Sequence, residues 1–206
     1  MPRNPTLKSP WAARDRVTER EAKREAVLQT AARAFAENGY HRTSLEEIAA
    51  RLGVSKPTIY YYARNKDDLI AAIAARALDE IVAAMDADEQ SSALSQLSHL
   101  LRRYAEIMTT DFGQCAIVVR DARIEGTVGE GFRKSMSLID TRIRELLILG
   151  EKDGSIAKCD IKLTSFMIAG AINEIVRWYD PAGTLAPPMI AEKFVNQLTT
   201  GLAPRK

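Results

Sequence analysis

Cysteine and histidine are scarce in this chain, with two of each among 206 residues. Cys115 and Cys159 have neither zinc-type spacing nor the numbers for a disulfide framework, and both read as buried thiols. His41 and His99 stand far apart in sequence. Glycine-rich phosphate loops and nucleophile elbows are also missing. These absences leave no expected catalytic residue and no expected metal, and an enzyme is the weakest reading. No apolar run approaches the roughly 20 residues that span a bilayer. The first 20 residues are polar and lack the apolar core of a signal peptide. A cytoplasmic protein with no membrane partner is expected. Alternating runs of β-branched residues are absent, as are internal repeats, so the fold class is all-α.

What the chain does have is uneven charge. Residues 1–66 carry 13 Lys/Arg against 7 Asp/Glu, whereas residues 67–206 carry 16 against 20. A basic first third on an acidic remainder suits a DNA-binding head on a body that DNA repels, although solvated helices are often locally basic. Pro2, Pro5 and Pro10 oppose an early helix, so residues 1–20 read as a flexible basic tail. Such a tail is either a solvated leader or an arm for the minor groove. Trp11 within it has no physical account.

Beyond the tail, helical spacing prevails. Val27, Ala31, Ala34 and Phe35 share one face of a helix that stops at Asn38-Gly39. Ser44-Leu45-Glu46-Glu47 is a capping box opening a second helix with the stripe Leu45, Ile48, Ala49 and Leu52. Gly53 breaks the chain. Ser55 then caps a third helix with Pro57 in its first turn. Asn65 caps a fourth, helped by Asp67 and Asp68, that runs to about Asp86. Five longer patterns follow, at 91–110, 114–123, 129–153, 161–179 and 187–201, with breaks at Gly126, Gly154 and Asp180-Pro181.

Residues 44–63, two short capped helices about Gly53, form a helix-turn-helix unit whose second helix suits the major groove. Tyr60, Tyr61 and Tyr62 cannot all face one core, because neighbours on a helix diverge by roughly 100°. The stretch REAVLQTAARAFAENGYHRTSLEEIAARLGVSKPTIYYYARNKDDLIAAI, Arg24 to Ile73, resembles the N-terminal domain of the tetracycline-repressor-like (TetR) family. The family has Phe or Val where Ala63 stands, and Tyr62 is the neighbour expected to fill that space. The resemblance places Lys56, Pro57, Thr58 and Tyr61 on the leading face of the recognition helix. It places Tyr60, Lys66 and Thr43, with the helix opened by Ser44, at phosphates. The domains are then a tail over 1–20, a DNA-binding domain over 21–66, and a ligand-binding and dimerisation domain over 67–206.

Residues 161–202 contain an unusually apolar helix. In the family, the last two helices of each subunit form an intermolecular bundle. By that resemblance Met167, Ile175, Tyr179, Val195, Leu198 and Leu202 are dimer-interface candidates, an ordinary monomer core being the alternative. IVRWYDPAGTLAPPMIAEKFVNQLTTGL and IVVRDARI loosely resemble the branch of the family that regulates fatty-acid and sterol breakdown in response to acyl-CoA thioesters. An acyl-CoA, or another apolar or lipid-derived effector, is implied. Met108, Phe112, Met136, Phe166 and Trp178 are candidate pocket walls, though each suits core packing too. Arg120 and Arg177 are candidates for an anionic group of the ligand, or for ion pairs. The expected function is a ligand-released repressor binding double-stranded palindromic operator DNA as a homodimer. The alternatives are an activator, with or without a ligand, or a non-specific DNA binder.

Overall fold

In the computed structural model, residues 16–85, 91–122 and 126–202 are described, and every regular element among them is helical. The chain divides into two compact units between Ile70 and Ala71.

The first unit contains α1 (Arg16–Asn38), α2 (Leu45–Leu52), α3 (Lys56–Tyr60) and the opening turn of α4 (Lys66–Ala83). Residues 16–20 are therefore helix, not tail. The N-terminal prolines end at Pro10, and Glu19 pairs with Lys23 one turn further on, as Glu25 does with Gln29. Residues 1–15, with Trp11, lie outside the described residues. α1 ends where Gly39 takes a φ of +81° and returns its N–H to the Phe35 carbonyl at 2.9 Å. Val27, Ala31, Phe35, Ile48 and Ile59 are buried, and α2 packs on both α1 and α3. These apolar stripes follow the helical period of the sequence.

The second unit contains the remainder of α4, then α5 (Ala93–Met108), α6 (Asp111–Ala122), α7 (Gly126–Asp153), α8 (Ile161–Asn173), α9 (Ile175–Trp178) and α10 (Pro187–Thr200). α5 is its hub and packs against α6, α7, α8, α9 and α10. Leu97, Leu100, Leu101, Tyr104, Ala105 and Met108 are accordingly almost wholly enclosed. Two hydrogen bonds fasten its start to the end of α7. The Ala93 N–H donates to Asp153 at 2.9 Å, and the Leu94 N–H to the Ser155 hydroxyl at 3.2 Å. Donors of this kind hold the Asp153 carboxyl below the usual carboxylate range.

Helix ends shift by a few residues from those expected, and two divisions between helices change. Gly126 opens α7 instead of separating helices. The helix expected over 161–179 is interrupted at Glu174, whose N–H turns back to Gly170 and Ile172, so α9 is a separate turn. The break at Asp180-Pro181 stands, as does the one at Gly154, which has a φ of +77°.

Candidate nucleic-acid interface

The Ser44 hydroxyl accepts the Glu47 N–H at 3.1 Å and starts α2, so half of the capping box forms. The Glu47 carboxylate turns elsewhere, to Asn38 at 2.7 Å and Arg51 at 2.8 Å. α2 ends at Gly53 in the left-handed region, φ +66°, where a side chain would be strained. The next N–H, of Val54, returns to the Ala49 carbonyl at 3.0 Å and folds the chain sharply into α3. Ala49 and Ile59 are buried beneath the turn.

With that underside closed, the outward face of α3 is fixed. Lys56 and Pro57 are exposed, Tyr60 is 44 % exposed and Tyr61 66 %, and Thr58 is half-buried. Tyr62 is half-buried and meets the Tyr61 ring edge-on at 5.2 Å, while Ala63 is buried. Two cations flank the tyrosines. Lys56 Nζ lies 5.7 Å from the Tyr60 ring centre, and the Arg20 guanidinium 5.5 Å from that of Tyr61. Arg20, expected within the basic tail, is instead part of α1. Its signal was the proline-free run after Pro10, which lets α1 reach back far enough to bring a basic side chain beside α3. Lys56 also pairs with Glu46, which holds the Glu46 carboxyl below its ordinary range and raises the lysine.

Two residues expected at phosphates are otherwise engaged. Thr43 is buried, and its hydroxyl donates to the carbonyls of Ala34 and Gly39, each at 3.0 Å. Lys66 directs its ammonium at three carbonyl oxygens, those of Tyr40, His41 and Thr43. Ser44, by contrast, is exposed, and its hydroxyl donates to the Glu46 carboxylate while accepting the Glu47 N–H.

The second unit sorts its candidate residues into inner and outer sets. Met108 is buried, while Phe112, Arg120 and Met136 are half-buried. In the core of the unit, the Tyr104 hydroxyl donates to Asn173 Oδ1 at 2.7 Å in a buried bond. Burial pushes Tyr104 up to about 12, against the smaller opposing effects of Asn173 and the Arg120 charge. Phe166 and Trp178 are instead exposed, and Arg177 is an exposed partner of Glu174 at 3.2 Å. These three do not line the interior of the protomer.

The dimer candidates divide the same way. Ile175, Val195 and Leu202 are core residues of the second unit. Leu198 and Tyr179 are half-buried, and Met167 is 60 % exposed. α8 is apolar on opposite sides, with Ile168 and Ile172 inward and Leu163, Phe166 and Met167 outward. A sequence stripe cannot distinguish a helix's two apolar faces.

Comparison with known proteins follows the same two-part division. Residues 27–73 match the family described as bacterial regulatory proteins, tetR family, and residues 90–202 match the tetracyclin repressor-like C-terminal domain. The HTH-type transcriptional repressor KstR2 of Rhodococcus jostii is 26% identical over 200 residues, covering 92% of this chain and 95% of that protein. The fatty acid metabolism regulator protein of Bacillus subtilis is 25% identical over 158 residues, 73% of this chain and 79% of that protein. The crystal structure of AibR with isovaleryl coenzyme A and operator DNA superposes with a TM-score of 0.71 at 23% identity, covering 86% of this chain and 98% of that one. With the C-terminal match alone spanning more than half its length, the chain belongs to the tetR family of bacterial regulatory proteins.

Proposed function

We propose that the chain is a repressor that binds a palindromic operator as a homodimer and releases it when a coenzyme A thioester, or a similar lipid-derived acid, enters the second unit. The observation that carries the DNA-binding part is the α3 face. Tyr60, Tyr61, Pro57 and Lys56 are held out to solvent above a buried two-helix crossing, with Arg20 alongside. Hydroxyls, ammonium and guanidinium groups are phosphate donors, and the proline ring and Thr58 methyl suit thymine methyls.

Dimerisation is supported by the outer face of α8 and its surroundings. Leu163, Phe166 and Met167 lie a helical turn or less apart, and Trp178 and Met189 are also exposed. Trp178 rests against Phe194 at 6.2 Å between ring centres. Exposed apolar residues clustered on one element mark a surface that another protein covers. A second copy is the occupant a palindrome demands, since two heads must reach two half-sites.

The effector reading draws on the names of the relatives, which include a fatty acid regulator and a complex with an acyl-CoA. Tyr104 and Asn173 form a buried polar pair inside the second unit, and Met108 is buried on the same helix as Tyr104, the mixture of apolar and few polar groups that suits such a guest. α4 is one uninterrupted helix across the boundary between the units, which makes it the covalent route from effector to head. The thermodynamic requirement is that effector and operator prefer different conformations. The test is fluorescence anisotropy of a duplex selected by the protein, titrated with isovaleryl-CoA and longer acyl-CoAs. Loss of duplex affinity by tenfold or more supports the reading, and unchanged affinity at every chain length opposes it.

A further inference from the structure

The turn between α1 and α2 is held by an unusual density of interactions. Lys66 Nζ, from the first residue of α4, donates to the carbonyls of Tyr40 at 2.7 Å, Thr43 at 3.1 Å and His41 at 3.3 Å. An ammonium has three N–H donors, so this geometry matches all three. The same nitrogen stands 4.4 Å over the Tyr40 ring. That ring packs on Phe35 at 5.7 Å and on His41 at 5.2 Å, and its hydroxyl donates to Asp67, the second residue of α4. Thr43 closes the far side by donating to the end of α1, as described above.

We propose that Lys66 is a positioning residue: it clamps the 40–43 turn to the first turn of α4, and so sets how α2 and α3 are presented to DNA. Backbone carbonyls in a turn lack the partners that helix carbonyls have and need another donor. Lys66 supplies a donor to each of three of them. The last of the three, Thr43, adjoins Ser44, whose hydroxyl starts α2, so a slack turn misplaces the start of the helix-turn-helix. This assignment rests on the DNA-binding reading but differs from a phosphate contact in what it requires. A phosphate needs only a cation. The clamp needs three convergent donors on a compact ammonium, which a planar guanidinium fork cannot reproduce.

Lys66→Arg and Lys66→Ala separate the two roles, with a duplex selected from a random-sequence pool by the wild-type protein as probe. Each variant is expected to lose about tenfold in affinity while the slope of log affinity against log salt stays at the wild-type value. Backbone amides of residues 40–43 are expected to exchange hydrogen at least tenfold faster in both. Wild-type affinity in Lys66→Arg, or a slope reduced by about one in Lys66→Ala with exchange unchanged, overturns the proposal. Failure of the wild-type protein to select any duplex instead strikes the DNA-binding reading, and the exchange measurement still decides the clamp.

Discussion

The Arg20 guanidinium carbon stands 5.5 Å from the centre of the Tyr61 ring, so the beginning of α1 and the end of α3 present one continuous basic and aromatic face. Tyr61 is exposed and contributes little to folding. Tyr61→Ala is expected to leave the melting temperature nearly unchanged while costing about 1–3 kcal/mol of duplex affinity. Arg20→Ala is expected to flatten the salt dependence by about one unit of slope. Anisotropy at several salt concentrations reads both.

Lys56 pairs with Glu46, a partner it would have to leave to reach a phosphate as the proposed function requires. Because both side chains are exposed, the pair is screened and weak. Glu46→Gln is expected to strengthen duplex binding and steepen the salt slope by about one as the lysine is released. The Glu46 carboxyl titrates below its usual range, so the pair persists at neutral pH and is lost only as pH falls through that lowered value. The measurement is the same salt titration at pH 7. An unchanged slope would show that Lys56 stays off the phosphates.

Phe166 and Ile175 separate the two faces of the second unit. Phe166→Glu on the outer face is expected to give a folded monomer by sedimentation, with operator affinity greatly reduced. Ile175→Ala, in the core, is expected to keep the dimer and lower protomer stability by about 2–5 kcal/mol. A Phe166→Glu protein that remains dimeric would place the interface elsewhere.

Tyr104 and Cys115 make the fold sensitive to alkali. Burial pushes both up to about 12, from ordinary values of 10.0 and 9.0. The unfolded chain releases these protons first, so stability is fully present below about pH 9 and declines as pH rises toward 12. Tyr104→Phe is expected to make that decline shallower. At neutral pH it should cost about 1–3 kcal/mol, because Asn173 loses a buried donor. Denaturant midpoints between pH 7 and pH 11 check both effects.

The head was legible because its signals are local. The Ser44 hydroxyl, the Gly53 turn and the Asn65 cap at the Asp68 N–H all act within five residues of their partners. The lysine clamp was not legible, because Lys66 reaches carbonyls more than 20 residues away and a carbonyl carries no side-chain signature. Arg20 was hidden for a related reason, since its helix starts before the apolar stripe does. In the second unit, helical spacing revealed which residues are apolar but not which face turns inward. Ile175 and Val195 were therefore grouped with Met167, although α5 covers the first two and leaves Met167 outside.

The most direct test of the account is competition binding between a duplex enriched by the protein from a random pool and the same duplex scrambled, at physiological salt. The account predicts that the enriched duplex is palindromic, takes up two chains, and binds about a thousandfold or more tighter than the scrambled one. Equal affinity for the two duplexes, or no enrichment at all, would contradict it.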